Sequence, residues 1–191
     1  MVLHFAEQQL ISANNLLRKE MPLILPIRFY PDPVLRESAK PISEITPELV
    51  KLAEDMRETM YESNGVGLAA NQVGVLQRII TLDASPERSK FFAIINPMII
   101  SASGRQSASE GCLSFPGIYA EEERAARVVV AGQLLDGEEV EIEADGLLAR
   151  AFQHEIDHLD GVVFVDRLSP SERFGIKDQL RLLEERFEPV K

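Results

Sequence analysis

Gln153-His154-Glu155-Ile156-Asp157-His158 is the segment with the strongest structural signal in this sequence. His154 and His158 are four residues apart, so a helix would place both imidazoles on one face, about one turn apart. The two rings can then share a metal ion, while Glu155 lies beside that face and can touch a metal-bound water. Apolar residues recur at helical spacing over residues 147–152, which predicts the helix that the motif needs. Two satisfied core histidines are the alternative, and their spacing around a glutamate favours a metal site.

The third ligand is not determined by spacing alone. A catalytic metal site usually has three protein ligands and an open position for water. Acidic residues follow His158, but no further histidine does, and no acid is singled out. Upstream, the only cysteine of the chain lies in Glu110-Gly111-Cys112-Leu113-Ser114. A free cysteine is often an inert core residue, but a thiolate at Cys112 could also reach the helix and complete the ligand set.

The composition is that of an ordinary globular protein, and it argues against several classes of nucleic-acid-binding and membrane proteins. The 191 residues are 45% hydrophobic and 27% charged, and the formal net charge is −11. This charge argues against specific nucleic-acid recognition and against binding to anionic membranes. No apolar run is long enough for a transmembrane helix. The single cysteine forbids an intramolecular disulfide, and residues 1–20 lack the pattern of a secretory signal, so a cytoplasmic protein is expected.

The expected fold class is α+β, with antiparallel β-sheets packed around a central helix that carries the His-Glu-x-x-His motif. An N-terminal helix is predicted after Thr46, which can cap it, and it ends near Asn64 and Gly65. A C-terminal helix is predicted from Pro170 to about Phe187. Strands are predicted over residues 78–82, 91–96, 98–101, 127–134 and 139–144, with Asp136-Gly137 as a hairpin turn.

Two regions are expected along the chain. Residues 1–23 form an N-terminal extension, with Met21 as a candidate for the natural start. Residues 24–191 form a single catalytic domain that ends in the C-terminal helix.

Three separate blocks carry a resemblance to a known family. They are Gly65-Val66-Gly67-Leu68-Ala69-Ala70-Asn71-Gln72, Glu110-Gly111-Cys112-Leu113-Ser114 and Gln153-His154-Glu155-Ile156-Asp157-His158. In this order they resemble the signature blocks of the peptide deformylases, and the resemblance covers about Ile24 to Leu168. That family removes the N-formyl group from the methionine at the start of newly made bacterial and organellar proteins.

The resemblance implies a metal-dependent hydrolase that releases formate. Cys112, His154 and His158 would be the metal ligands, and Glu155 would be the general acid and base. The cofactor would be one divalent ion per chain, with Fe²⁺ as the native metal. Zn²⁺, Ni²⁺ or Co²⁺ could replace it in a purified sample, since two imidazoles and one thiolate suit all four.

The resemblance also implies the groups that bind substrate. Gln72 would donate a side-chain hydrogen bond to the oxyanion, helped by the backbone N–H of Leu113. Val66 and Gly67 would pair with the substrate backbone as an added β-strand does. The methionine slot and its surroundings are expected among Val66, Glu110, Gly111, Leu147, Arg150, Ala151 and His154. Arg150 departs from the apolar residue common in the family, so its stem packs against methionine with its charge in water, or it meets Glu110.

Asp157 is expected to be a structural carboxylate rather than a ligand. It lies three residues after His154, near the ligand face, and we hypothesise from the resemblance that Arg124 is its ion-pair partner.

Two rival functions differ from the deformylase in what they predict. A zincin-like metalloprotease shares the His-Glu-x-x-His pattern but takes its third ligand downstream and is indifferent to Cys112. An inactive binding module would retain the fold without activity, although all the catalytic residues are present here. The expected partners are N-formylmethionyl peptides and nascent chains, with docking of the C-terminal helix on the ribosome as a further expectation.

Overall fold

A computed structural model describes residues 22–187 and has the α+β fold that the sequence predicts. The predicted extension at residues 1–23 lies outside the described residues, apart from Pro22 and Leu23. Four α-helices occur in the described part: α1 Pro47–Glu62, α2 Gly146–Leu159, α3 Pro170–Gly175 and α4 Lys177–Arg186. Seven strands occur there as well: β1 Gly67–Ala69, β2 Ile79–Leu82, β3 Phe92–Ser103, β4 Gln106–Gly111, β5 Tyr119–Arg124, β6 Arg127–Gln133 and β7 Glu139–Asp145.

The strands form two antiparallel sheets. The larger sheet has five strands in the order β1-β2-β3-β6-β7, which leaves β1 at an edge. The smaller sheet is the β4–β5 hairpin, in which Glu110 lies opposite Ala120. The two strands predicted on either side of Pro97 are one strand, β3, because a shift in register between Ile95 and Met98 accommodates the proline.

Helices cover both faces of the five-stranded sheet. Ile80 and Ile94 pack against Phe152 of α2, while their neighbours Ile79 and Ile95 pack against α1. This division follows from the strand period of two, which directs successive side chains to opposite faces. Arg150 and His154 of α2 also hydrogen-bond to the β4–β5 hairpin, so the motif helix lies between the two sheets. A third apolar cluster contains Phe115, Phe164, Ile176 and Leu180.

Local sequence signals placed the first helix correctly. Thr46 caps α1 by accepting a hydrogen bond from the Leu49 N–H at 3.3 Å, and Pro47 occupies the first helical position. Among residues 22–187, no helix combines the length and the apolar character needed to cross a bilayer.

The predicted C-terminal helix is two helices rather than one. α3 ends at Gly175 and α4 begins at Lys177, with Ile176 between them at φ −102° and ψ 3°. The apolar spacing continues across this break because Ile176 and Leu180 both pack into the third cluster. Periodicity alone therefore does not reveal the interruption.

Candidate active site

The three predicted metal ligands converge at one place. His154 and His158 lie one turn apart on α2, with ring centroids separated by 5.0 Å. Cys112 follows the end of β4, and its Sγ lies 3.2 Å from the Nε2 atom of His158. One ligand atom from each residue lies within 4.8 Å of the other two. Within residues 22–187 this is the only such grouping of His, Cys, Asp or Glu, so the downstream ligand of a zincin-like protease has no counterpart there.

The chemistry of these donors fits a divalent transition metal. A thiolate and two imidazoles suit Zn, Fe, Co or Ni. The Nδ1 atom of His154 lies 2.6 Å from Glu110 Oε1, so its N–H can be donated there while Nε2 faces the centre. Burial lowers the pKa of His154, but Cys112 and Glu110 outweigh it and raise that pKa well above its usual value. The surroundings thus favour positive charge at this centre, which a metal ion supplies.

Glu155 is a buried carboxylate directly beside the ligands. Its Oε2 atom has no hydrogen-bond partner among the described residues. Burial raises the pKa of Glu155 to about 7, with His154 opposing that rise. A Cβ atom at Gly67 would lie 2.4 Å from Glu155 Oε1. Only glycine at this position of β1 therefore allows the edge strand to approach the carboxylate so closely.

The side chain of Gln72 is held rigidly against the cysteine loop. Its Oε1 atom accepts a hydrogen bond from the Ala69 N–H at 2.8 Å, within the 3-10 turn Ala70–Val73 and its cap. Its amide nitrogen donates to Ser114 Oγ at 3.2 Å and lies 3.5 Å from Cys112 Sγ. Sequence reasoning missed Ser114, which fixes the direction in which the amide points.

Behind the ligands lies a buried network of ion pairs. The Glu110 carboxylate accepts hydrogen bonds from Arg124 at 2.7 Å and from Arg150 at 2.7 Å, in addition to the contact with His154. Of the two alternatives for Arg150, the structure therefore has the contact with Glu110, and this side chain is only 6% exposed. The expectation that its charge reaches water is wrong, because burial leaves the guanidinium to be neutralised by a carboxylate.

The predicted ion pair between Arg124 and Asp157 is confirmed, with 2.9 Å between Nη1 and Oδ2. Arg167, which sequence reasoning missed, also donates to Asp157 at 2.6 Å. Arg167 lies just after the 3-10 turn Phe164–Asp166, and no sequence pattern marks it as a partner of the motif helix.

A cleft of about 450 Å³ opens over these residues. Its lining includes almost all the predicted site residues: Val66, Gly67, Gln72, Glu110, Gly111, Cys112, Leu113, Leu147, Arg150, Ala151, His154 and Glu155. His158 lies below them, fully buried. Tyr119 was not predicted; it stands at the rim, with its ring against the backbone of Gly111.

Comparison with known proteins accounts for this arrangement. Residues 24–174 match the family described as polypeptide deformylase. The chain belongs to this family. A peptide deformylase from Thermodesulfovibrio yellowstonii is 52% identical over 152 residues, which cover 78% of this chain and 92% of the relative. A peptide deformylase from Acidobacterium capsulatum is 46% identical over 164 residues, which cover 85% of this chain and 96% of the relative. The crystal structure of a peptide deformylase from Legionella pneumophila superposes with a TM-score of 0.79 at 41% identity. The match covers 86% of this chain and 99% of that structure's chain.

Family membership fixes the reaction. The chain is a metal-dependent amidohydrolase that removes the N-formyl group of formyl-methionine from newly made proteins and releases formate. This activity is favoured over both the metalloprotease and the inactive module.

The network behind the ligands makes a testable contribution to stability. Asp157→Asn is expected to lower the free energy of unfolding by about 2 kcal/mol, because it removes the charge that accepts hydrogen bonds from Arg124 and Arg167. Urea denaturation measures this change, and metal analysis shows whether the site is disturbed. The control is Asp160→Asn, since the ion pair of Asp160 with Arg78 is partly exposed and contributes little. Unchanged stability and metal content in Asp157→Asn would remove Asp157 from the network.

Proposed function

We propose that Cys112, His154 and His158 hold the divalent ion of this deformylase and that Glu155 is its general acid and base. The observation that carries the proposal is the convergence of three ligand atoms beside a buried carboxylate with an unpartnered oxygen. When bound, a divalent ion supplies Lewis acidity, which makes water a better nucleophile at neutral pH and polarises the formyl carbonyl.

Glu155 is suited to move a proton in both directions. Its raised pKa, about 7, lies near the operating pH, where a carboxyl group can both accept and donate. In the proposed mechanism it takes the proton of the attacking water and later delivers it to the departing amine. The absence of another hydrogen-bond partner at Oε2 leaves that atom available for this proton.

Gln72 and Leu113 are proposed to stabilise the charge that develops on the formyl oxygen. The amide of Gln72 is held at the cysteine loop by Ala69 and Ser114, so it needs no reorganisation during the reaction. The backbone N–H of Leu113 follows Cys112 directly and would be the second donor. A preorganised donor of this kind typically contributes about 3 kcal/mol to the transition state.

The substrate backbone is proposed to pair with the free edge of β1. The Val66 carbonyl accepts a hydrogen bond from the Asp83 N–H at 2.9 Å and is therefore directed towards β2. In an antiparallel ladder the next residue faces the opposite way, so the backbone groups of Gly67 face the open edge. A formylated peptide can add there as an extra strand.

The methionine side chain is proposed to lie between Val66, Leu147 and Ala151. Val66 and Leu147 are apolar side chains exposed at the cleft, and Ala151 leaves room between them. Glu110, Gly111 and Arg150 also line the cleft.

Fe²⁺ is proposed as the native ion, with Zn²⁺, Ni²⁺ or Co²⁺ as substitutes in purified protein. We also propose a cytoplasmic location, a single catalytic domain over residues 24–191, and docking of the C-terminal helices on the ribosome. The single cysteine, which lies at the metal centre, supports a reducing compartment.

The direct test is formate release from formyl-Met-Ala-Ser by the full chain after anaerobic reconstitution with Fe²⁺. We expect the iron-loaded chain to release formate faster than the zinc-loaded chain, and the metal-free chain to release none. Unformylated Met-Ala-Ser is the matched control for peptide cleavage, and it should remain intact. Release of formate without metal would contradict the proposed mechanism.

A further inference from the structure

Glu122 is a buried acid on β5 that the mechanism above does not use. Alternate residues of β5 face the interior, and this places Glu122 between Ala120 and Arg124 on the inner face. Its side chain is 1% exposed. Neither carboxylate oxygen is reached by solvent, and neither accepts a hydrogen bond from any described residue. An ionised carboxylate is strongly destabilised in such a place unless donors surround it.

The neighbouring arginines, Arg124 and Arg150, donate their N–H groups to acceptors other than the Glu122 carboxylate. Arg124 Nη2 lies 3.0 Å from Glu122 Oε1, but the angle does not direct an N–H at that oxygen. Arg124 instead donates from Nε and Nη2 to Glu110, at 2.9 and 2.7 Å, and from Nη1 to Asp157 at 2.9 Å. Arg150 donates to Glu110 and to two backbone oxygens. Glu122 therefore has positive charge nearby but no donor of its own.

The balance of buried charge leads to the same conclusion. Charged or titratable groups on several elements lie near Glu122: Glu110 on β4, Arg124 on β5, His154 and Arg150 on α2, and Arg167 beyond the 3-10 turn, with Asp157 paired to Arg124. The two buried arginines balance the two buried carboxylates of Glu110 and Asp157. The side chain of Arg167 is 52% exposed, so water screens its charge. These two arginines are thus balanced without Glu122, and neither is left over to neutralise Glu122 if it is ionised.

We propose that Glu122 is a neutral carboxylic acid that donates its proton as a hydrogen bond to Glu110. Through that carboxylate it acts as a positioning residue for His154, whose Nδ1 lies 2.6 Å from Glu110. This role rests on the proposed function of His154 as a ligand through Nε2. Burial raises the pKa of Glu122 to about 8, with Arg124 lowering it and Glu110 raising it further.

The proton of Glu122 makes stability depend on pH in a defined direction. The pKa in the folded chain, about 8, lies above the ordinary glutamate value of 4.5. Between these values the folded chain holds a proton that the unfolded chain has lost. The contribution of Glu122 is therefore greatest below pH 4.5 and declines as the pH rises to 8.

Infrared difference spectroscopy tests the proton directly. Zinc-loaded wild type minus zinc-loaded Glu122→Gln should show the carbonyl band of a protonated carboxylic acid at pH 6.5, and this band should disappear above pH 8. Glu121→Gln, an exposed neighbour on the same strand, should leave the band in place. In urea denaturation, the stability of wild type relative to Glu122→Gln should fall between pH 5 and 8. A carboxylate band at pH 6.5, or parallel stability profiles, would overturn the proposal.

Zinc affinity tests the positioning role without turnover. Glu122→Met keeps the length of the side chain but has no donor, and we expect its zinc affinity at pH 7 to fall about tenfold. Glu122→Gln has an amide donor and should bind zinc as wild type does. Equal zinc affinity in Glu122→Met and Glu122→Gln would overturn the positioning role. Formate release is not needed for either measurement, so an inactive wild type would contradict the proposed function separately.

Discussion

Replacing Glu155 with alanine is expected to lower kcat for formate release by about 10²–10⁴-fold while the metal stays bound. Glu155 is not among the three converging ligands, so its loss should leave them in place. The reaction then lacks the group that moves the proton from water to the amine. Formate release from formyl-Met-Ala-Ser, measured beside the metal content of the same sample, separates these two effects.

Glu155→Gln is the matched variant, because it keeps the shape beside Gly67 but cannot accept the proton. We expect it to be as inactive as Glu155→Ala and to bind metal as wild type does. If Glu155→Gln kept the rate of wild type, the carboxylate would not be the acid and base. If both variants lost their metal, Glu155 would instead support the ligands.

A local pattern predicted the motif helix and its two histidines, whereas the roles of Cys112, Gln72 and Leu113 came from the family resemblance. The spacing of His154 and His158 places both rings on one face of a helix, and apolar periodicity predicted that helix. The sheet strands rich in Val and Ile were predicted for a similar reason. β4 and β5 were missed because Gln106–Gly111 and Tyr119–Arg124 are polar on their outer faces and contain few β-branched residues.

The orientations of charged side chains could not be predicted from local patterns. Arg150 lies on the motif helix, but its acceptor Glu110 is on β4, forty residues earlier in the chain. Arg167 reaches Asp157 only because the chain turns back after α2. Contacts of this kind depend on how β4, β5 and α2 pack together, and neither propensity nor spacing contains that information. The resemblance of three motif blocks supplied the Arg124–Asp157 pair, which helical spacing alone did not.

The fold brings three kinds of backbone to one centre. A helix carries the two imidazoles and the carboxylate, a loop after a strand carries the sulfur of Cys112, and β1 has a free edge. Because Gly67 lies against Glu155, a peptide paired with β1 would bring its first residue close to the ligands. Under the proposed binding mode, peptide binding and chemistry would be coupled through this edge strand.

Cys112→Ser is expected to weaken metal binding by more than the 10–100-fold that follows loss of a supporting partner, since it removes a ligand itself. A serine hydroxyl has nearly the same shape, but it does not supply the thiolate that a soft site requires. Zinc affinity and formate release should therefore fall together, while urea denaturation should show a folded chain.

His4→Ala is the control for this experiment, because it removes the only histidine outside the motif helix. It should leave one metal per chain and a normal rate. Persistence of both metal and activity in Cys112→Ser would be the result that a zincin-like site predicts, with a ligand other than the thiol. Loss of both would identify the sulfur as the donor that distinguishes this centre from a protease built on the same helical motif, because the two histidines and Glu155 are common to both.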